Sequence, residues 1–368
     1  MRRIFLLFMF PTIIVFLFLS GCGGGGSSPS TIIKFKENVD TGTIPTSTRI
    51  AYSFLSLMSG EGEMSIYDSS TQTSTQIVSG GEIYYLDYNS TAGKIVYDFG
   101  TYPNDMEIRT ISPSGSGDAA LYDQNLGNFC PDWSDDGAYV AFTSVNAAGT
   151  QRDIFMIGAD GTGVTQMTDD ANTNFNVSWS PDGTKIVTEE NLFGPDSSIV
   201  VIDVATKTGT AVTDGQGNDA YAEWSPDGSR IAFLRNIEGS YSLMIMDTTN
   251  YNAAIACTDC TKTGLFAWSA DGSKIATVST KDSEQSLYIV TVASGSVSKT
   301  DLSTYYDAGS FLVMDWSADG SKVILSSNRP SSYDPYGYAF ALFDIGEDTF
   351  TLISDYKQMY VGGGIFLE

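Results

Sequence analysis

Trp179-Ser-Pro-Asp-Gly183 is one of five copies of a short motif whose regular spacing decides the fold. The other copies are Trp133-Ser-Asp-Asp-Gly137, Trp224-Ser-Pro-Asp-Gly228, Trp268-Ser-Ala-Asp-Gly272 and Trp316-Ser-Ala-Asp-Gly320. Successive tryptophans are separated by 46, 45, 44 and 48 residues. A fixed period in this range is typical of propellers and solenoids, in which each repeat forms one small structural unit.

Each copy has the composition of a turn between two antiparallel strands. The serine can accept a backbone hydrogen bond, a proline presets φ near −65°, and the glycine supplies a left-handed residue. An apolar run such as Tyr139–Phe142 follows the turn, and a second such as Ile154–Ile157 follows later. A Thr- and Val-rich piece such as Thr210–Thr213 closes the repeat. The pattern predicts four short strands per repeat and no helix.

Incomplete repeats at the two ends of the patterned region predict a closed ring. Arg49–Tyr52 and Ser65–Asp68 resemble a second and a third strand without a first, whereas Met359–Leu367 resembles a lone first strand. Asp87–Tyr97 is a further, degenerate copy of the motif region. We therefore expect an all-β propeller of four-stranded antiparallel blades over residues 48–368. Seven blades, one of them completed by both chain ends, are the expected number, and six or eight are the alternatives.

The stretch Met156–Thr168, leading into Trp179–Ile186, resembles the WD40-like (PD40) repeat of the TolB-like propeller family. The resemblance covers about residues 48–368 and implies a β-propeller. It implies less about function, because the same repeat accompanies peptidases, lyases and many envelope proteins.

The N-terminal sequence predicts a lipoprotein. Residues 1–21 have a basic start and a long apolar stretch, as a signal peptide does, and Leu19-Ser-Gly-Cys22 matches the bacterial lipobox. An N-terminal membrane helix is the alternative interpretation. We expect cleavage before Cys22, lipidation of its thiol and a flexible Gly/Ser-rich tether over residues 22–47. Gly23 after the anchor favours sorting to the outer membrane.

The composition excludes several functions. The chain has 44 acidic and 19 basic residues and a net charge of −25, which argues against binding to nucleic acid. It has no histidine, which excludes Ser-His-Asp and Cys-His catalysis and an imidazole metal site. We therefore expect no enzyme activity and no cofactor, and the acidic surplus leaves calcium binding open.

The cysteines predict one small-loop disulfide. Cys257-Thr-Asp-Cys260 lies between two repeats, and in an exported protein this spacing favours a disulfide between Cys257 and Cys260. Cys130 lies three residues before Trp133, and we expect it to be buried and unpaired.

Two groups of residues are candidates for binding. The residue before the motif aromatic is acidic in four of six copies. Equivalent repeat positions lie on a ring, so we expect these acids at one mouth of the central channel, where they would attract a divalent cation or a basic segment. A Tyr-rich insertion after the last copy is the second candidate. The acids are Asp87, Asp132, Glu223 and Asp315, and the tyrosines are Tyr333, Tyr336 and Tyr338.

These observations predict a monomeric, lipid-anchored propeller that acts as a binding or scaffolding module of the cell envelope. Its expected partner is an envelope protein, and its expected place is the outer membrane, on the periplasmic face or the cell surface. A degenerate carbohydrate-active or peptidase-like enzyme and a purely structural lipoprotein are the alternatives.

Overall fold

The structure is a computed structural model in which the described residues form strands and turns. These residues are 49–56, 62–71, 73–102, 105–124, 126–146, 151–191, 197–215, 217–237, 240–257, 265–281, 284–302, 310–329, 337–352 and 357–366. Over these ranges the chain contains no helix with the length and hydropathy that crossing a membrane requires. The predicted signal peptide and tether, Cys22 included, lie outside them.

The strands are short, as the repeat pattern predicts. In chain order they are β1 (Arg49–Ser56), β2 (Gly62–Asp68), β3 (Thr73–Ser79), β4 (Leu86–Asn89), β5 (Lys94–Thr101), β6 (Asp105–Ile111), β7 (Ala119–Tyr122), β8 (Asn128–Trp133), β9 (Tyr139–Val145), β10 (Arg152–Gly158), β11 (Thr165–Gln166), β12 (Asn174–Trp179), β13 (Lys185–Glu190), β14 (Ser198–Asp203), β15 (Thr208–Ala211), β16 (Asn218–Trp224), β17 (Arg230–Ile237), β18 (Ser240–Asp247), β19 (Ala253–Cys257), β20 (Phe266–Trp268), β21 (Lys274–Lys281), β22 (Glu284–Thr291), β23 (Ser296–Asp301), β24 (Ser310–Trp316), β25 (Lys322–Arg329), β26 (Gly337–Asp344), β27 (Thr349–Leu352) and β28 (Lys357–Phe366).

The strands form a seven-bladed propeller of four-stranded antiparallel blades, which confirms the predicted fold class. Blades one to six are consecutive meanders: β4–β7, β8–β11, β12–β15, β16–β19, β20–β23 and β24–β27. Blade seven consists of β28 followed by β1, β2 and β3. The motif tryptophans lie at the end of the first, innermost strand of blades two to six.

The ring closes as the incomplete end repeats predict. β28 pairs antiparallel with β1, from Ile50 opposite Phe366 to Ser56 opposite Met359. One feature of the closure was not predicted. The first residues of β28 also pair with β26 of blade six, with Tyr338 opposite Lys357. Blades six and seven therefore belong to one continuous sheet.

The motif forms the predicted turn. In the copy that begins at Trp179, the amide of Gly183 donates to the carbonyl of Ser180 at 2.9 Å, and Gly183 has a φ of +67°. The hydroxyl of Ser180 donates to Asp182 Oδ1 at 2.6 Å and accepts the amide of Lys185 at 2.9 Å. The side chains of the serine and the aspartate thus replace hydrogen bonds that the turn backbone cannot make for itself.

Apolar side chains fill the space between neighbouring blades. Trp179 is 1% exposed and packs in one cluster with Ala141 and Ile154 of blade two and Ile202 of blade three. Trp133 and Trp224 lie in corresponding clusters at the preceding and following blade interfaces. These tryptophans are structural, as the repeat position predicts.

A central cluster joins all seven blades around the axis. It contains Cys130, Phe175, Tyr221, Phe266 and Met314 from the inner strands of blades two to six, Tyr85 just before the inner strand of blade one, and Tyr52 from β1 of blade seven, all of them buried. The inner strands of blades two, three and four each carry a two-residue bulge that begins with a left-handed residue: Cys130 (φ 54°), Asn176 (φ 50°) and Tyr221 (φ 58°). The bulges change the direction of the inner-strand backbone close to the axis.

The prediction for Cys130 was half right. Cys130 is 4% exposed, as expected, but it is disulfide-bonded, so its expected lack of a partner was wrong. Cys257 is also disulfide-bonded and belongs to the same central cluster. Cys260 lies outside the described residues, so the pairing of Cys257 with Cys260 stays a prediction.

Candidate functional site

The acids that precede the motif aromatic link one blade to the next. Asp87 in blade one accepts the backbone amide of Trp133 in blade two at 2.8 Å. Asp132 in blade two accepts the amide of Trp179 in blade three at 2.9 Å. Both carboxylates are buried, with residue exposures of 0% and 1%. Because a carboxylate forms stronger hydrogen bonds than a neutral acceptor, these two bonds stabilise the blade interfaces.

The other copies vary this link. The hydroxyl oxygen of Ser178 accepts the amide of Trp224 at 3.3 Å. Asp315 accepts the amide of its own neighbour, Trp316, at 2.7 Å and is 6% exposed. Glu223 is half-buried. The position is therefore a hydrogen-bond acceptor for a tryptophan amide in several copies, and the acid is one way to supply it.

Indole groups add a second link in two of the copies. Trp179 Nε1 donates to the carbonyl of Asp132 at 3.2 Å, and Trp316 Nε1 donates to the carbonyl of Ala267 at 2.9 Å. Each acceptor belongs to the inner strand of the preceding blade. Each tryptophan of this kind therefore contributes both its apolar ring and a polar N–H to the interface.

The structure does not place the acids as the sequence interpretation expected. Asp87, Asp132 and Asp315 are buried, and their carboxylates accept backbone amides instead of facing an open channel mouth. Among the described residues, no three His, Cys, Asp or Glu side chains are grouped so that they could hold a metal ion. Their similar placement arises from the repeat, and for Asp87 and Asp132 its physical role is blade-to-blade attachment.

Asp132→Ala is expected to destabilise the protein by about 1–3 kcal/mol, because the amide of Trp179 would stay buried without its acceptor. The measurement is the free energy of unfolding in urea. The control is Asp136→Ala in the adjacent turn, where the aspartate is exposed and the loss should be smaller. Equal losses for both variants would contradict the role given to Asp132.

A second set of buried carboxylates caps the inner-strand bulges. Glu189 on β13 is fully buried, with Oε2 accepting Asn176 Nδ2 at 2.6 Å and Oε1 accepting the amide of Ala222 at 2.7 Å. Asn176 lies in the bulge of the same blade, and Ala222 lies in the bulge of the next one. Glu189 thus satisfies polar groups that the bulges remove from the sheet ladder.

Asp98 on β5 has a related role in blade one. Its Oδ1 accepts the amides of Tyr84 and Tyr85 at 2.7 and 2.8 Å, and it is fully buried. Its Oδ2 is buried, and no hydrogen-bond partner for it lies among the described residues. Burial raises the pKa of Asp98 to about 7, and the backbone amides of Tyr85, Tyr84 and Cys130 only partly oppose that rise. This carboxyl therefore titrates near neutral pH.

A guanidinium lies between the inner strands of blades two and three. Arg152, the first residue of β10, is 9% exposed, and its guanidinium carbon is 5.3 Å from the ring centre of Phe129 and 5.0 Å from that of Phe175. The side chain also hydrogen-bonds Tyr102, and burial lowers the pKa of Arg152. Arg152 is thus a buried cation in contact with aromatic rings of two blades.

A cleft opens on the turn face between blades three and four. Its volume is about 460 Å³. The motif turns of both blades and the turn after β18 line it, with residues Ser180, Pro181, Asp182, Lys185, Trp224, Asp227, Gly228, Thr248 and Tyr251. Tyr251 has a left-handed φ of 56° and packs partly against the interface cluster of these blades. The cleft combines apolar walls with charged groups of both signs.

The predicted tyrosine insertion is described only at its end. Tyr338 lies in β26, where its backbone pairs with Asn328 and Lys357. Tyr333 and Tyr336 lie outside the described residues, so their role in binding stays a prediction.

Sequence reasoning missed Asp98, Glu189 and Arg152. For Asp98 a signal was present, because it is the one acid in the apolar run of β5, whereas Glu189 is followed by Glu190 in a more polar strand and carried no such signal. The signal for Arg152 was weaker, because an arginine at the start of a strand is usually exposed.

A family comparison agrees with this architecture. The TolB beta propeller domain model matches residues 99–260 and 191–356. No curated protein matches the chain.

Solved structures with the same fold are distant in sequence. TolB from Acinetobacter baumannii is 20% identical with a TM-score of 0.54, over 69% of this chain and 63% of that chain. An oligogalacturonate lyase from Vibrio parahaemolyticus is 11% identical with a TM-score of 0.57, over 84% and 87% of the two chains. A puromycin-hydrolyzing peptidase from Mycobacterium tuberculosis is 13% identical with a TM-score of 0.61, over 83% and 53%.

The chain thus spans less than two thirds of that TolB and about half of that peptidase. At these identities the likeness concerns the fold alone. The five motif turns, the blade-to-blade bonds and the match over residues 99–356 together show that the chain belongs to the TolB β-propeller domain family.

Proposed function

We propose that this protein is a lipid-anchored propeller that binds a partner protein in the cell envelope. The observation that carries the proposal is the cleft between blades three and four. It joins Pro181, Trp224 and Tyr251 with Asp182 and Lys185 on one surface. Apolar walls with a few charged groups are typical of recognition surfaces.

The placement of the motif residues supports a binding role over catalysis. The acids at the motif position accept backbone amides, and the indoles pack between blades, so both serve the scaffold. The sequence has no histidine to act as a general base. We therefore assign the protein a recognition function, with the propeller as a rigid support for the surface of the cleft.

Site-specific photocrosslinking in the native host tests this function. A photoreactive residue in place of Thr249, which is exposed beside the cleft, should capture one protein, whereas one at Thr210 on the outer strand β15 should not. Tyr251→Ala should abolish the Thr249 crosslink because it removes one wall of the cleft. Equal capture from both positions, or turnover of glycan or peptide substrates by the purified protein, would count against the proposal.

The anchor is tested in the same strains. Leu19-Ser-Gly-Cys22 motivates lipidation, so the wild type should incorporate labelled palmitate and fractionate with the outer membrane. Cys22→Ala should do neither. Incorporation of label into the Cys22→Ala protein, or no incorporation into the wild type, would refute lipid attachment at Cys22. The crosslinking experiment tests partner binding separately and would not be affected by that result.

A further inference from the structure

The cleft between blades three and four is formed by the motif turns of two successive blades. The two turns meet at Pro181 and Gly228, where a Cβ added to Gly228 would lie 3.5 Å from Pro181 Cδ. The volume of the cleft, about 460 Å³, is within the range of about 300–1,000 Å³ that is typical of ligand pockets. The cleft therefore has room for one or two side chains of a partner and not for a folded domain.

Each of the two turns contributes an exposed aspartate to the lining of the cleft, Asp182 and Asp227. The hydrogen bonds that Asp182 accepts from Ser180 and Thr184 all end on its Oδ1 atom. Oδ2 of this exposed side chain is therefore available to accept from a ligand. Asp227 accepts its turn hydrogen bonds on Oδ1 in the same way, and its Oδ2 shares only the hydroxyl of Ser229.

Both aspartates are ionised at neutral pH. A hydrogen bond from the side chain of Ser180 lowers the pKa of Asp182. Burial acts to raise the pKa of Asp227, but hydrogen bonds from Ser225 and Ser229 together outweigh burial, so this pKa is lowered as well. The cleft thus presents two carboxylates to a ligand.

The basic residues near the cleft do not cancel this charge. Lys185 lies opposite Asp203 in the sheet of blade three, and Arg230 lies opposite Asp247 in that of blade four. The charge of each cation acts on its opposite acid and on the aspartate of its own motif turn. Four carboxylates therefore share two cations, and the surplus negative charge favours a cationic ligand. The six groups are Asp182, Asp203, Asp227, Asp247, Lys185 and Arg230.

Tyr251 gives the cleft an aromatic wall at a backbone position that suits glycine. Its amide donates to the carbonyl of Asp247 at 2.8 Å, and the amide of Gly295 in blade five donates in the same way to Thr291. Both residues have a left-handed φ, 56° for Tyr251 and 66° for Gly295. Such a φ is an outlier for a bulky residue, and strain of this kind clusters at binding sites. An aromatic wall can contact the apolar stem of a basic side chain and attract its charged end.

We propose that the cleft binds a basic side chain, a lysine or an arginine, from an exposed segment of the partner protein. The stem of that side chain packs against Pro181 and Tyr251, and its charged end pairs with Asp182 and Asp227. This inference rests on the function proposed for the cleft and adds the chemistry of the partner. The net charge of −25 over the whole chain favours encounter with a basic segment.

Calorimetry on the full chain in an uncharged detergent at low ionic strength tests the inference. The ligands are acetylated pentapeptide amides, Gly-Gly-X-Gly-Gly, in which X is arginine, lysine, citrulline or glutamate. Citrulline has nearly the shape of arginine without its charge. We expect the arginine or the lysine peptide to bind with a Kd of about 1 mM or tighter, and the citrulline and glutamate peptides not to bind. Added salt should weaken the binding, because it screens exposed charges.

Two double variants with the same change of charge separate the cleft from the rest of the surface. The cleft variant, Asp182→Asn with Asp227→Asn, removes both charges and keeps an acceptor oxygen for each turn. The control variant, Asp271→Asn with Asp319→Asn, makes the same change in the turns of blades five and six, where each aspartate accepts from two serines. The cleft variant should bind the basic peptide about tenfold or more weakly, and the control variant less than about twofold.

Three results would overturn the inference. They are a failure of both basic peptides to bind, equal binding of the arginine and citrulline peptides, and equal losses of affinity in the two double variants. If the cleft variant does not fold, the comparison of the arginine and citrulline peptides decides the outcome.

The crosslink from Thr249 distinguishes failure of this inference from failure of the proposed function. Capture that is lost in the cleft variant and kept in the control variant supports both. Capture that persists in the cleft variant shows that the partner binds without pairing to these carboxylates, so the inference fails and the proposed function stands. An absence of capture in the wild type contradicts the proposed function itself.

Discussion

Removal of residues 357–368 is expected to destabilise the propeller by several kcal/mol, a large share of the ~5–15 kcal/mol that is typical of folded proteins. The deletion removes β28, which pairs with β1 along most of its length and with β26 at its start. Blade seven would lose its inner strand, and the ring would open with an unpaired edge on β1. Thermal unfolding followed by circular dichroism measures the effect.

The control for this deletion supplies the missing strand as a separate peptide. A synthetic peptide of residues 357–368 should raise the melting temperature of the truncated protein, and a scrambled peptide of the same composition should not. If the truncated protein melts at the temperature of the intact chain, β28 does not hold the ring closed.

Asp98→Asn is expected to stabilise the protein above pH 7 and to change its stability little at pH 4. The pKa of Asp98 is about 7 in the folded protein and 3.8 for an ordinary aspartate, so the folded state binds this proton more tightly. The free energy of unfolding must therefore fall as pH rises between those values. A pKa difference of about three units corresponds to a change in the free energy of unfolding on the order of 4 kcal/mol. Asparagine keeps an oxygen for the two tyrosine amides and carries no charge.

Urea unfolding of both proteins from pH 4 to pH 8 measures this effect as the difference between the two curves. Asp182→Asn is the control, because hydrogen bonds from Ser180 and Thr184 lower the pKa of Asp182. Its contribution is complete above the unfolded pKa and is lost only as pH falls below it, so the stability difference between Asp182→Asn and the wild type should not change between pH 4 and pH 8. Parallel curves for the wild type and Asp98→Asn would show that Asp98 does not titrate in this range.

The fold could be predicted from the sequence because the repeat encodes local geometry. The turn at Trp179–Gly183 is made by its own serine, aspartate and glycine, so it forms the same way in every copy. The lone strand near Met359 and the incomplete blade near Arg49 then indicated that the two chain ends share one blade, as the pairing of β28 with β1 confirms. Pairing of β28 with β26 could not be predicted, since nothing in the repeat makes one strand serve two blades.

The candidate site was harder to predict because periodicity gives position around the axis but not the surroundings of a side chain. Asp132 lies on the ring expected from the repeat, yet its carboxylate meets the amide of Trp179 in the next blade. The same limit applies to Cys130, whose disulfide depends on the spatial path of the chain. The contacts of Arg152 with the rings of Phe129 and Phe175 likewise depend on how blades two and three pack, which the repeat does not give.

The shared seventh blade also determines the order in which the molecule can be completed. Synthesis makes β1, β2 and β3 first, and almost the whole chain has to follow before β28 arrives to pair with β1. During that interval β1 exposes an edge that can pair with another chain. Long-range pairing of this kind is slow to form. Because β28 is the last of the described strands to be synthesised, we expect ring closure to be a late step in folding.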